Sequence, residues 1–405
     1  MQRIKIFGGR ITWNQWRTAA QLADKYCSGT ALHITTRQDI EFHNLSAQAI
    51  PVVHQALSDA GLTTHGACGD AVRNITVCSG CRYAPNSAFV LPVAELVQKY
   101  LNDAAYDSLP RKFKISFSGC LCACAKPWIS CLGFIAKHND LFNVIGAGSL
   151  GAKPALGIEL YKSLPVKDVP PLCIAAVEFF NEHGDHDNRH KARFRHVREK
   201  LGDATFRIEL DKRFQQVKLR HTWPDVPAEE KDVNKKLLWR FQLPNGNMEP
   251  RLALELADAA EPQKTELRIN LEHGLEIYGC KVFQLPAPLA VLRDNPIIVA
   301  CPGCSTCPKA LLDTWDTADK IRHALAGKQL AEKRICISGC PNNCAHSVVA
   351  DIGLIGLVRK QGQQSVQCCR LYTGGGNGTD NRLALPGDII TAEKVPERLI
   401  KLTGK

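Results

Sequence analysis

Arg334-Ile-Cys-Ile-Ser-Gly-Cys340-Pro-Asn-Asn-Cys344 repeats Lys114-Ile-Ser-Phe-Ser-Gly-Cys120-Leu-Cys-Ala-Cys124 almost position for position, 220 residues further on. Each stretch is an alternating apolar run that suits a strand, then a Ser-Gly turn, then Cys-x3-Cys. Working outward, Ile75-Thr-Val-Cys78-Ser-Gly-Cys81 falls over Ile298-Val-Ala-Cys301-Pro-Gly-Cys304, and Leu132-Gly-Phe-Ile falls over Ile352-Gly-Leu-Ile. The intervals agree: 42 residues from Cys78 to Cys120, 39 from Cys301 to Cys340. Upstream, 10–64 reads as a helix (13–25), a strand ending in His33-Ile-Thr-Thr-Arg-Gln, and a second helix (47–60). Residues 248–291 echo it with a helix over 251–260 and a strand over 266–277. Such self-similarity means a duplicated fold. The expected division is 1–65 half-domain, 66–165 cysteine module, 166–235 helical linker, 236–292 half-domain and 293–405 cysteine module.

Cys301-x5-Cys307 and Cys340-x3-Cys344 offer four thiolates from two tight loops, which suits a cubane iron–sulfur cluster. Cys304 falls between the first pair and is expected to be a bystander. A four-cysteine zinc site is the rival, although zinc knuckles usually pair Cys-x2-Cys motifs. Eighteen cysteines in 405 residues suit a reducing compartment, where they are free or metal-bound rather than paired. Isolated ones such as Cys27, Cys173 and Cys336 are read as small buried hydrophobes.

The formal charge is +11, which admits an acidic protein, an anionic ligand or nucleic acid as partner. No helix-turn-helix, zinc-finger or RNP-type pattern is present, so nucleic acid is not expected. The basic run 189–198 reads as a helix with a cationic face. No apolar stretch nears the ~20 residues of a membrane span, and the N-terminus lacks a signal-peptide core. A cytoplasmic protein without membrane insertion is expected. Gly146-Ala-Gly148-Ser-Leu-Gly151 matches a dinucleotide fingerprint in form, but Pro154 breaks the helix that should follow. A loop whose backbone N–H groups approach carboxylates is the better reading.

Taken together, Thr35-Thr-Arg-Gln-Asp-Ile-Glu-Phe-His43, Gly69-Asp-Ala-Val-Arg-Asn74, Leu109-Pro-Arg-Lys-Phe-Lys114, Asn188-Arg-His-Lys-Ala-Arg-Phe194 and the cysteine spacings resemble the siroheme-containing sulfite and nitrite reductases. The resemblance covers nearly the whole chain. It implies an α+β, internally duplicated nitrite/sulfite reductase fold: two ferredoxin-like half-domains and two mixed α/β siroheme/[4Fe-4S] modules related by pseudo-two-fold symmetry. It implies a siroheme and a [4Fe-4S] cluster on Cys301, Cys307, Cys340 and Cys344, with Cys344 also bridging the siroheme iron. Arg73, Lys112 and Lys114 would line the distal pocket, joined by Lys5 or Arg3 from the strand before Gly8-Gly9. Arg37, Gln38, Asn74, Asn342 and the loop Gly374, Gly375, Gly376 would hold siroheme carboxylates.

The activity implied is six-electron reduction of a small oxyanion. Family nitrite reductases tend to carry asparagine where Lys114 stands, which favours sulfite, with nitrite as the alternative. A precorrin-3B synthase, or a siroheme-binding electron-transfer subunit without catalysis, are the other readings. No ferredoxin-type Cys-x2-Cys-x2-Cys run or flavin module is present. Electrons are therefore expected from a ferredoxin or a reductase subunit docking on the basic surface. One departure stands out. Most relatives have lost the first copy's cysteines, whereas this chain keeps Cys78, Cys81, Cys120 and Cys124, with Cys122 in reserve and Ala84 where Cys307 predicts a ligand. These are expected to hold a second [4Fe-4S] cluster, or else to be a vestige of duplication.

Overall fold

The computed structural model describes residues 1–403 except 81–83, 85, 139, 231–233, 294, 327–332, 377 and 379. Two four-stranded antiparallel sheets carry the two half-domains, and each borrows an edge from the other. In the first, Gln2–Ile4, Ile40–Phe42 and Leu32–Ile34 are completed by Asn247–Met248. In the second, Lys236–Gln242, Gly274–Gly279 and Glu266–Ile269 are completed by Arg10–Ile11. The exchange makes residues 1–65 and 236–292 share a single apolar core. The helices Trp13–Tyr26 and Pro250–Ala260 cross it, and the fully buried Trp16 ring donates from Nε1 to the Ala253 carbonyl at 2.9 Å. Thr12 and Gln15 start the first helix as a reciprocal capping box.

The strand expected over 266–277 is in fact a hairpin. Asn270 Oδ1 accepts from the N–H groups of Glu272 and Gly274, at 2.9 and 2.8 Å, and His273 turns the chain at φ 61°. Gln38, at φ 63°, occupies the matching turn of the first copy. The cationic helix expected over 189–198 forms instead at Phe194–Leu201.

Each cysteine module is a five-stranded sheet. Thr76–Val77, Ile115–Ser118 and Leu132–Ala136 run parallel, then Leu141–Gly146 and Ile158–Pro165 antiparallel. Ile298–Ala300, Ile335–Ser338, Ile352–Gln361, Gln364–Thr373 and Leu385–Thr391 repeat the order. The parallel strands are buried on both faces, as their unbroken apolar runs require. Both cysteine pairs follow the carboxyl ends of two adjacent parallel strands, where open α/β sheets place ligands. The Gly146–Gly151 stretch leads into a turn and a strand, with no helix, so no dinucleotide fold is built there.

The linker helices Val169–His183, Phe194–Leu201 and Asp203–Lys218 join the first module's core through Phe179, Phe180, Phe194, Phe206 and Phe214. The second module is covered by Thr314–Leu325 and Val395–Thr403. No described helix is long and apolar enough to cross a membrane.

Candidate active site

The second-copy thiols are set by backbone geometry. Gly339 N–H donates to Cys301 Sγ at 3.1 Å, and Cys307 N–H donates to the Gly303 carbonyl at 3.0 Å. Gly303 is at φ +57°, and a Cβ there would strike Thr314 Oγ1 at 2.2 Å, so only glycine fits this turn. After Cys340 the chain folds back through Asn343 and His346, both left-handed, while Ser338 Oγ accepts Ala345 N–H at 3.1 Å. The thiols crowd one another. Burial, then Cys344 and Cys340, push Cys301 up to about 12; burial, then Cys344 and Cys307, raise Cys340. Two half-buried thiols that resist ionising, crowded by Cys307 and Cys344, suit a cationic metal cluster among them. Among the described residues no three His, Cys, Asp or Glu side chains could grip a single metal ion. Cys304 is exposed and neighbours Cys307 and Asp313.

Facing this loop is a wall of cations from the first copy. Phe113 is buried against Phe180 and Phe194, with ring centroids 5.6 and 5.2 Å apart. Its backbone is pinned by bonds to Ala71 and Arg73. Lys112 and Lys114 flank it, so strand alternation turns both the other way; Arg193 precedes Phe194 at the N-cap of its helix. Burial, then Arg37, Arg193 and Lys112, push Lys114 well below the usual lysine range, with Cys344 opposing. Burial and Arg193 bring Lys112 down to about 8, again with Cys344 opposing. The cations therefore stand around Cys344, and Thr36 Oγ1 also donates to the Cys344 carbonyl at 3.1 Å.

Part of this wall is unmatched. Arg111 and Arg189 pair with Asp70, and Arg37 Nη2 donates to the Asn74 carbonyl, but Arg37 Nε and Arg193 Nε and Nη2 are buried without a hydrogen-bond acceptor among the described residues. Beside them lies a cavity of about 1030 Å³ lined by Arg111, Lys112, Arg189, Lys191 and Arg193, with Lys309 and Asn342 from the second copy. Burying uncompensated cations is costly unless an anion joins them. The donor set would fit a polycarboxylate tetrapyrrole of the kind the resemblance implies.

Not every expected residue stands in this cavity. Gln38 donates to the Val77 and Ile269 carbonyls, at 2.8 Å each, and accepts from Val77 N–H at 3.0 Å. Its fully buried amide ties the halves together and has no donor left for a carboxylate. Asn74 Nδ2 donates to the Ile6 and Arg37 carbonyls, at 2.8 and 3.0 Å, and so braces Arg37. Gly374, Gly375 and Gly376 are outside the cavity lining; their loop reaches the other cysteine module, where a Cβ on Gly378 would meet the Cys122 carbonyl at 2.7 Å. The glycine-rich stretch that does reach the cavity is Leu150–Lys153. Arg3 is bound to Glu41, whereas Lys5 is buried, with Asp39, Arg73 and Arg37 among its neighbours. Arg73 is held by the Gly69 carbonyl at 2.8 Å and the Ala67 carbonyl at 2.9 Å.

Arg193, Arg111, Arg189 and Lys309 were not singled out from the sequence. The first three lie in or beside quoted motifs, but only the Phe113–Phe194 packing and the Asp70 ion pairs bring them to one wall. Of the first-copy thiols, Cys78, Cys120, Cys122 and Cys124 lie near one another, while Cys81 lies outside the described residues.

The family model described as "Nitrite and sulphite reductase 4Fe-4S domain" matches residues 68–218 and 295–403. The "Nitrite/Sulfite reductase ferredoxin-like half domain" matches 1–60. The chain is 26% identical to the chloroplastic ferredoxin--nitrite reductase of Zea mays, over 95% of this chain and 74% of that one. It is 28% identical to the ferredoxin--nitrite reductase of Synechococcus elongatus, over 99% and 85%. It is 26% identical to sulfite reductase [ferredoxin] 2 of Mycolicibacterium paratuberculosis, over 94% and 74%. Among solved structures, the NirA protein of Mycobacterium tuberculosis superposes with a TM-score of 0.83 over 98% of this chain and 79% of that one, at 22% identity.

Proposed function

The chain belongs to the nitrite and sulphite reductase family, and from that premise we propose that it reduces sulfite to sulfide by six electrons. It carries a siroheme and a [4Fe-4S] cluster, which when bound supply electrons singly at an iron that holds the substrate. The observation that carries the reading is the group of buried Arg37 and Arg193 nitrogens without an acceptor among the described residues, beside Lys112, Lys114 and Cys344. Cys301, Cys307, Cys340 and Cys344 would hold the cluster. Arg37, Arg193, Arg111, Arg189, Lys309 and Asn342 would hold the tetrapyrrole.

Lys112, Lys114 and Arg73 would take the substrate anion. A cation about 5 Å from an anionic oxygen contributes roughly 3 kcal/mol at an effective dielectric of 20. A dianion gains about twice as much from each cation as a monoanion, so the extra half-buried lysine at 114 favours sulfite over nitrite. Lys112 exchanges a proton near neutral pH and would deliver it to oxygen as it leaves. Arg73, fixed by two carbonyls, would orient the anion.

Nitrite reduction is the second reading, supported by relatives named as nitrite reductases in Zea mays and Synechococcus elongatus. Both names specify ferredoxin, and a net charge of +11 suits an acidic electron donor of that kind. Anaerobic turnover with reduced methyl viologen separates the readings. A higher kcat/KM for sulfite supports ours, and a higher value for nitrite replaces it. Siroheme absorption bands with no turnover of either anion would leave an electron-transfer subunit.

A further inference from the structure

We propose that the first copy binds a second tetranuclear iron–sulfur cluster through Cys78, Cys120, Cys122 and Cys124. Three hydrogen bonds that shape the Cys340–Cys344 loop recur in the first copy. Gly119 N–H donates to Cys78 Sγ at 3.3 Å, as Gly339 does to Cys301 at 3.1 Å. Ser118 Oγ accepts Ala125 N–H at 3.2 Å, as Ser338 Oγ accepts Ala345 at 3.1 Å. Ala123 N–H closes on the Cys120 carbonyl, and Asn343 N–H on Cys340, both at 3.1 Å.

The backbone is held in the same unusual shape. Ala123 sits at φ +51° and Lys126 at +60°, where Asn343 and His346 sit at +59° and +65°. Asparagine tolerates that region, but alanine does not favour it. A loop that keeps the strained turn with alanine is held there by its surroundings, and strain of this kind collects at functional sites. Cys124 lies in the neighbourhood of Cys78, Cys120 and Cys122.

One ligand differs. Cys307 has no thiol counterpart at Ala84, whereas Cys122 stands where the second copy has Asn342. Asn342 hydrogen-bonds Cys340, and Cys122 likewise hydrogen-bonds Cys120. The fourth thiolate thus comes from inside the loop rather than from the neighbouring one. The two loops also touch: Lys126 Nζ lies 3.1 Å from His346 Nδ1, each two residues beyond the last cysteine of its loop.

Iron and acid-labile sulfide analysis of anaerobically purified holoprotein tests this directly. About nine iron atoms and eight sulfides per chain, one iron belonging to siroheme, are expected. About five irons and four sulfides overturn the proposal without any variant. Cys120→Ser is expected to remove about four irons while the siroheme absorption bands persist; nine irons in that variant would dismiss the site. Cys122 is exposed, so Cys122→Ala should fold. Its expected signature is the loss of about one iron on oxidation, because a cubane on three thiolates sheds the iron they do not hold. An unchanged iron count in Cys122→Ala would reject the ligand set. Because every readout is metal content, nitrite rather than sulfite turnover would leave the inference standing.

Discussion

Near the second copy's Cys344 stand Lys112 and Lys114, with Arg37 and Arg193 beside Lys114; near the first copy's Cys124 stand Lys126 and the carboxylate Glu272. The two regions descend from one sequence. Glu272 occupies the place of Arg37, Arg334 the place of Lys114 and Asp351 the place of Cys131. Those exchanges neutralise one wall. Arg334 pairs with Glu272 at 3.4 Å and with Asp351 at 3.3 Å, whereas Arg37 Nε and Arg193 Nε and Nη2 have no acceptor among the described residues. A buried cation with a carboxylate beside it is already satisfied. One without such a partner is open to an anionic ligand, and this is why the substrate side is proposed on the Lys114 face.

The sharpest way to break the comparison is at the last cysteine of each loop. Cys344→Ser should lower methyl-viologen-linked reduction by at least about 1000-fold, beyond the 10–100-fold that supporting partners usually cost. Cys124→Ser should leave turnover within about tenfold. Equal losses would show both loops serving the reacting iron.

Next comes the wall itself. Replacing Lys112 and Lys114 together by alanine should lower kcat/KM for sulfite about 100-fold or more, in the range of a lost general acid and its electrostatic support. The siroheme absorption spectrum should persist. Turnover unchanged in this double variant would end the catalytic assignment of the lysines.

The duplication and the thiol spacings were legible because they sit in short, contiguous runs. The cationic wall was only partly so. Lys112 and Lys114 stood out by motif, but Arg193 joins them through Phe194 packing on Phe113, some eighty residues away in the chain. The exchanged strands Arg10–Ile11 and Asn247–Met248 are two residues each, too short to carry an alternation. Gln38 was expected to hold a cofactor carboxylate because the family resemblance implied it, yet at a left-handed backbone position its amide bonds to the sheets. The hairpin at 270–273 was hidden by apolar residues continuing through Leu271, since an asparagine-capped turn leaves no gap in that pattern.

A smaller effect should appear in the pH profile. Burial and Arg193 hold Lys112 down at about 8, against 10.5 ordinarily. Turnover should fall as pH rises through 8, by up to about tenfold per unit, as the lysine loses the proton it is proposed to deliver. Stability of the cofactor-free chain should move the other way. Between 8 and 10.5 the unfolded chain holds a proton that the folded chain has released, so stability rises with pH across that window. Lys112→Arg should flatten both limbs, and an alkaline limb that persists in it would assign the titration elsewhere.

The smallest expected change in rate belongs to the neutralised wall. Arg334→Met removes the counterpart of Lys114 but touches neither the cavity of about 1030 Å³ nor Cys344. Turnover should stay within about twofold. Stability should nonetheless drop by about 1–3 kcal/mol, because Glu272 and Asp351 lose a charged hydrogen-bond partner. Adding Glu272→Gln should recover part of that loss, since a neutral amide needs no counter-charge. Urea midpoints for the single and double variants measure this coupling. A rate loss at Arg334 comparable to that of the lysine pair would mean that both walls serve the substrate, and that a charge partner does not separate structural from functional cations in this fold.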